Sequence, residues 1–116
     1  MTAIHVTPEG VPTVFSGGTL YGSGVLGREY RQRAMRQAQR ALSVVQHEAR
    51  VAGVPCVSVR RVAREPWRAV LGTARSRKCD LIVMASHGRS GLRALVLGSE
   101  TTKVLTHTRI PVLVCR

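Results

Sequence analysis

The sequence is poor in aromatic residues, in acidic residues and in cysteine, and each shortage narrows what the chain can do. Phe15, Tyr21, Tyr30 and Trp67 are its only aromatics, 3% of the residues. Proteins that grip single-stranded nucleic acid stack successive bases on aromatic faces, so specific nucleic-acid recognition is not expected. Six Asp and Glu in 116 residues leave few carboxylates for acid–base pairs or metal ions, and no Ser/His/Asp constellation stands out. No catalytic residue is predicted. His5, His87 and His107 are dispersed, and no pair has the His-x-x-x-His spacing that sets two ligands on one helical turn, so no metal site is predicted. Cys56, Cys79 and Cys115 are odd in number and show no Cys-x-x-Cys spacing. That speaks against a disulfide framework or a zinc site and predicts reduced, mostly buried thiols. Apolar runs fall short of the roughly 18 residues that a spanning helix needs, and the N-terminus lacks the basic region and long apolar core of a secretory signal. The expectation is a cytoplasmic chain without a membrane partner.

Arginine is what the sequence has in excess. The formal net charge is +12, and Lys78 and Lys103 are the only lysines. Such a balance attracts anions at long range, and it equally fits arginines scattered over a solvated surface. The length suits one domain with one core, residues 1–116.

The richest stretch runs from Asp80 to Arg116. Leu81, Ile82, Val83 and Met84 form a short, largely β-branched run that reads as a strand buried on both faces. A loop with Gly88 and Gly91 follows, with Ser86 and Ser90 beside the glycines. Gly98 opens a helix that Ser99 can cap and that Thr101, Thr102, Val104 and Leu105 continue. Pro111 precedes a second strand, Val112 to Cys115. In a strand–loop–helix–strand unit the loop amides and the helix N-terminus converge beyond the carboxyl end of the first strand, where they favour a phosphate. The same glycines could instead serve turn geometry alone. His87 could hydrogen-bond a phosphate or ribose, or could stabilise the loop backbone.

This order of residues resembles the universal stress protein family of bacteria, whose ATP-binding members carry Gly, two residues, Gly, nine residues, Gly, then Ser or Thr. Here Gly88, Gly98 and Ser99 occupy the second and third glycine and serine positions, and Ala85 stands in place of the first glycine. The resemblance implies an α/β fold of the adenine nucleotide alpha hydrolase-like type, Rossmann-like with flavodoxin-type winding: a parallel sheet with helices on its faces, in the order 3-2-1-4-5. It also implies that the segment starting at Thr2 is the family's second strand. The family's first strand and first helix, with an early aspartate that contacts the nucleoside, are then absent, and the domain is N-terminally truncated. Four strands must close that gap, exchange an element with another chain, or belong to a truncated product.

The remaining elements follow in order. Thr2 to Val6 reads as a strand ended by Pro8 and Gly10. Residues Val11 to Gly27, rich in Gly, Thr and Ser, read as a flexible loop. Arg28 to Val51 carries Met35, Ala38, Leu42, Val45 and Ala49 on one helical face, with Arg33, Arg36, Arg40, His47 and Arg50 on or near the other. That arginine stripe is either a solvated face or an anion-binding one. Cys56 to Val62 suits a strand near a sheet edge. Glu65, Pro66 and Trp67 start a helix that ends near Lys78; Trp67 reads as a packing anchor or, alternatively, a stacking platform.

The function implied by the resemblance is a regulatory protein of the stress response that binds an adenine nucleotide, ATP, with Mg2+ accompanying it. Gly88, Gly98 and Ser99 would hold phosphate, with Arg89 and Ser90 assisting, and Val6 and Met84 would line the nucleoside pocket. Ala85, His87, Glu100 and Thr101 complete the candidate nucleotide residues. Glu100 suits the helix dipole yet would repel a phosphate placed too close. Hydrolysis beyond a weak activity is not expected, because no base, metal carboxylate or Walker lysine motif is evident. The resemblance further implies a homodimer through Ile110 to Cys115, the last strand pairing antiparallel with its twin. The alternative reading is a dimeric interaction module, or a truncated family member, that has lost nucleotide binding.

Overall fold

The computed structural model describes residues 1–10, 14–16, 19–21, 25–86 and 97–115, so His87, Gly88, Arg89 and Ser90 lie outside the described residues. The elements are β1 (Thr2–Pro8), β2 (Val14–Ser16), β3 (Thr19–Tyr21), α1 (Val25–Val51), β4 (Val57–Ala63), α2 (Pro66–Ser76), β5 (Ile82–Ala85), α3 (Ser99–His107) and β6 (Val112–Cys115). They fall into two compact units, Met1–Arg64 and Glu65–Arg116.

In the first unit β1 and β4 pair in parallel, from Thr2↔Val57 to Pro8↔Ala63. Parallel neighbours need a crossover, and α1 supplies it. Its line of Ala38, Leu42 and Ala49 is buried at 0, 7 and 4% exposure, and the two alanines let the helix backbone approach the sheet closely. Met35 and Val45 flank that line and are half open to solvent, which narrows the apolar face expected from periodicity. Arg33, Arg36, Arg40, His47 and Arg50 are all exposed, as the spacing predicts.

The stretch from Val11 to Gly27 is not simply a loop. It contains an antiparallel hairpin with Val14↔Tyr21, Phe15↔Leu20 and Ser16↔Thr19 in register. The last pair leaves only Gly17 and Gly18 between the strands, a dipeptide suited to two-residue hairpin connections. Strands of three residues are too short to display an alternating pattern, which hid them among the glycines.

In the second unit β5 and β6 pair in parallel, from Ile82↔Val112 to Ala85↔Cys115. Leu71 and Ala74 of α2, Ile82 of β5 and Val104 of α3 form its core, with Trp67, Val70, Met84, Ile110 and Val112 packed around them. The expectation that Leu81–Met84 is buried on both faces does not hold: Ile82 and Met84 face the helices, whereas Val83 on the opposite face is 61% exposed. Alternation puts Leu113 and Cys115 on one face of β6, and both are exposed. Cys115 therefore departs from the expected burial, while Cys56 and Cys79 are half-buried; all three are free thiols. The described strands form three separate ladders, β1–β4, β2–β3 and β5–β6.

Both long helices end alike, with different residues at the turning point. After α1, the Gly53 N–H donates to the Arg50 carbonyl (3.0 Å) and the Val54 N–H to that of Ala49 (2.8 Å). After α2, the Lys78 and Cys79 amides make the equivalent bonds to Arg75 and Ala74 (3.0 and 2.8 Å). This termination needs a left-handed residue, and Gly53 (φ 69°) and Lys78 (φ 52°) provide it. A Cβ on Gly53 would meet nothing within 4 Å, so Gly53→Ala is expected to cost only its backbone strain, about 1 kcal/mol. Lys78→Gly should act in the opposite sense, stabilising by about 0.5 kcal/mol. Urea denaturation of both variants checks the pair; shifts of the same sign would contradict it.

Candidate functional site

The carboxyl end of β5, the end of β6 and the start of α3 are tied together by short-range bonds. The Ser86 N–H donates to the Cys115 carbonyl (2.7 Å), and the Ser86 carbonyl accepts the Gly98 N–H (2.8 Å). The Thr101 hydroxyl donates to the Ala85 carbonyl (3.0 Å). Ser86 and Thr101 are buried. These bonds fix the first turn of α3 against the strand ends. Its amides at Ser99, Glu100 and Thr101 have no carbonyl partner within the helix, and they form the positive end of the helix dipole. Beyond the carboxyl ends of parallel strands, such a turn is suited to a phosphate or carboxylate.

Met84, Ala85, Gly98, Ser99, Glu100 and Thr101 thus gather at one junction. Met84 is half-buried against the core, and Ala85 and Ser99 are exposed. Val6 belongs to the other unit, half-buried in β1 and paired with Arg61. Three expected roles change in detail. Gly98 is the N-cap residue and its amide is already bonded to Ser86, so the amides left to face an anion are those that follow it. Ser99 is the first helical residue, and no side-chain bond caps α3. The Thr101 hydroxyl serves the strand–helix tie, leaving its amide as the group to offer.

Glu100 holds a position that sequence reasoning missed. Its Oε2 accepts the backbone N–H of Trp67 at 2.9 Å, and its Oε1 pairs with the Lys103 Nζ at 3.0 Å. The N-cap residue of α2, Glu65, makes no side-chain cap bond; its carboxylate instead pairs with Arg68 at 2.8 Å. The start of α2 is therefore capped from α3, across 33 residues of sequence. One signal was present: the Glu-Pro-Trp start lacks the Ser, Thr, Asp or Asn that usually caps a helix. With its carboxylate drawn toward Trp67 and Lys103, Glu100 opposes an anion at the first turn less than its position alone implies.

Trp67 acts as a packing anchor. Its ring centroid lies 4.4 Å from that of His107, and the Arg68 guanidinium carbon sits 4.9 Å from the ring centroid, within cation–π range. Among the described residues no group of three or more His, Cys, Asp or Glu is placed to hold a metal ion, and no helix is long and apolar enough to cross a membrane.

Comparison with known proteins agrees with this architecture. The chain matches the universal stress protein family over residues 2–116. It is 30% identical over 117 aligned positions to the universal stress protein YxiE of Bacillus subtilis, covering all of this chain and 78% of the relative. It is 34% identical over 92 positions to a universal stress protein of Thermus aquaticus, covering 78% of this chain and 67% of the relative. A solved structure of the hypothetical protein MJ0577 superposes with a TM-score of 0.73 at 21% identity, over 97% of this chain and 72% of that one. At that identity the likeness speaks to the fold alone, an α/β one. With the family match spanning nearly the whole chain and a relative aligned along its full length, the conclusion is direct: this chain belongs to the universal stress protein family.

Proposed function

We propose that the chain is a regulatory protein of the stress response that binds an adenine nucleotide, ATP, through its phosphates at the β5–α3 junction. The observation that carries this reading is the first turn of α3, held at the strand ends by Ser86, Gly98 and Thr101. The amides of Ser99, Glu100 and Thr101 would face the phosphates, and the Ser99 hydroxyl is exposed beside them. Mg2+ would enter on the phosphates, since the junction's carboxylate, Glu100, is held by Trp67 and Lys103. The reading is of binding: the described groups offered to a ligand are the backbone amides of Ser99, Glu100 and Thr101 and the Ser99 hydroxyl, while the Glu100 carboxylate is engaged by the Trp67 amide and Lys103. Equilibrium titration with ATP, ADP, AMP and adenosine tests it. Affinity is expected to fall along that series, because the phosphates make the contacts. Adenosine binding as tightly as ATP would refute the phosphate cradle.

The proposal includes a homodimer through Ile110–Cys115. Among the described residues β6 pairs on one side only, with β5, and Leu113 is 52% exposed. An unpaired edge of this kind is a template for a second copy. Sedimentation velocity should show a dimer at micromolar concentration, and Leu113→Lys, which sets like charges near the two-fold axis, should weaken it at least tenfold. A wild-type monomer under these conditions would count against the interface.

A further inference from the structure

At the end of the first unit where β1 and β4 finish, large apolar side chains stay open to water. Met35 on α1 is 50% exposed and Val62 on β4 is 66% exposed. Between them lies a cavity of about 290 Å³ whose apolar wall is built from Pro8, Tyr30, Ala34, Met35 and Val62. Its origin is in the sequence: α1 presents the small Ala34 one turn before Ala38, while the sheet offers Thr7 and Val62, paired across β1 and β4, on the same face. Val6 alternates to the opposite face of β1 and does not line the cavity. The site is therefore independent of the nucleotide reading.

Arg31 and Arg60 complete the wall together with Glu9. The ion pairs among the described residues, Arg68–Glu65 and Lys103–Glu100, involve none of the three. The cavity thus joins an apolar surface to two unpaired guanidiniums and one carboxylate, a net positive lining. A predominantly apolar pocket with a few polar groups to fix orientation is the usual form of a small-molecule site, and this volume stands at the small end of the range. A bare phosphate would leave the apolar wall unused, a neutral hydrocarbon would leave the guanidiniums unused, and a compact polyanion would meet Glu9. The chemistry that uses every feature is one carboxylate on an apolar body.

We propose that this cavity binds small amphipathic monocarboxylic acids, aryl-alkanoic or medium-chain alkanoic, with the apolar body against Met35, Val62 and Tyr30 and the carboxylate paired with Arg60 and Arg31. The carboxylate suits guanidinium because two parallel N–H donors match its two oxygens. Binding would tie α1 to the ends of β1 and β4 and raise the unit's stability by mass action.

The test uses the full chain, with 4-phenylbutyrate as the probe and 4-phenylbutanol as its neutral counterpart, followed by amide chemical shifts in solution. Saturable shifts are expected at Gly10, Ala34, Met35 and Val62, with a dissociation constant on the order of 1 mM or tighter for a ligand of this size. The alcohol should bind at least fivefold more weakly. The double variant Arg31→Gln, Arg60→Gln should bring the acid down to the alcohol's affinity, and Met35→Glu should abolish binding of both. The arginines are exposed, so the double variant keeps the test decisive should Met35→Glu fail to fold. Equal binding of acid and alcohol, acid affinity unchanged in the arginine variant, shifts confined to Ser99–Thr101, or no saturable shift at 10-fold the expected dissociation constant would each overturn the proposal.

Discussion

Leu71→Ala is expected to remove about 2–5 kcal/mol of stability, the usual cost of truncating a fully buried leucine. Leu71 is 3% exposed and sits in the core with Ala74, Ile82 and Val104. The neighbours cannot collapse into the space, because Ile82 is fixed by pairing with Val112 and Val104 is fully buried on α3. Against a typical total of about 5–15 kcal/mol, that loss is a large share. With a urea dependence of about 1–3 kcal/mol per molar, the unfolding midpoint should fall by about 1 M or more. Val83→Ala on the neighbouring strand is the control. Val83 is 61% exposed, so it should change stability by no more than about 0.5 kcal/mol. A Val83→Ala cost near that of Leu71→Ala would mean that the outer face of β5 is covered in solution.

The contrast between those residues also shows which parts of the fold were legible in the sequence. The run Leu81–Met84 announced a strand, and Pro111 marked the start of the next one; both were placed to within a residue, and the parallel direction that helices between strands demand is the one observed. Which face of that strand is covered was not legible, because a short run of apolar residues reads alike whether helices lie on one side or two. The hairpin at Val14–Tyr21 escaped because its strands are shorter than a period can reveal. At the site, the motif located the turn at Gly98–Thr101, since glycine spacing and a capping-type residue are local signals. The partners of those residues were not local. That Glu100 would cap α2 depends on packing of α2 against α3 across 33 residues, and that the Gly98 amide would bond Ser86 depends on how the chain returns to β5.

The second large effect is expected in ligand binding. Gly98 has φ −59° and ψ 148°, an extended conformation open to residues other than glycine. Its amide bond to Ser86 survives any substitution except proline. The backbone therefore does not forbid Gly98→Val, and circular dichroism and the thermal midpoint establish that the variant is folded before its affinity is read. If nucleotide phosphates lie against the first turn of α3, a branched side chain at its entrance pushes them away from the amides of Ser99, Glu100 and Thr101. Such contacts are worth about 0.3–2 kcal/mol each, and losing two or three amounts to about 3 kcal/mol, or roughly a hundredfold in affinity. ATP should then bind no better than adenosine. Ser99→Ala removes one exposed hydroxyl and keeps every amide, so its effect should stay within about tenfold. Calorimetric titration of the wild type and both variants reads these outcomes directly. An unchanged ATP affinity in a folded Gly98→Val variant would place the phosphates elsewhere and end the case for this turn as the cradle. A loss in Ser99→Ala as deep as in Gly98→Val would shift the weight from the backbone to the hydroxyl.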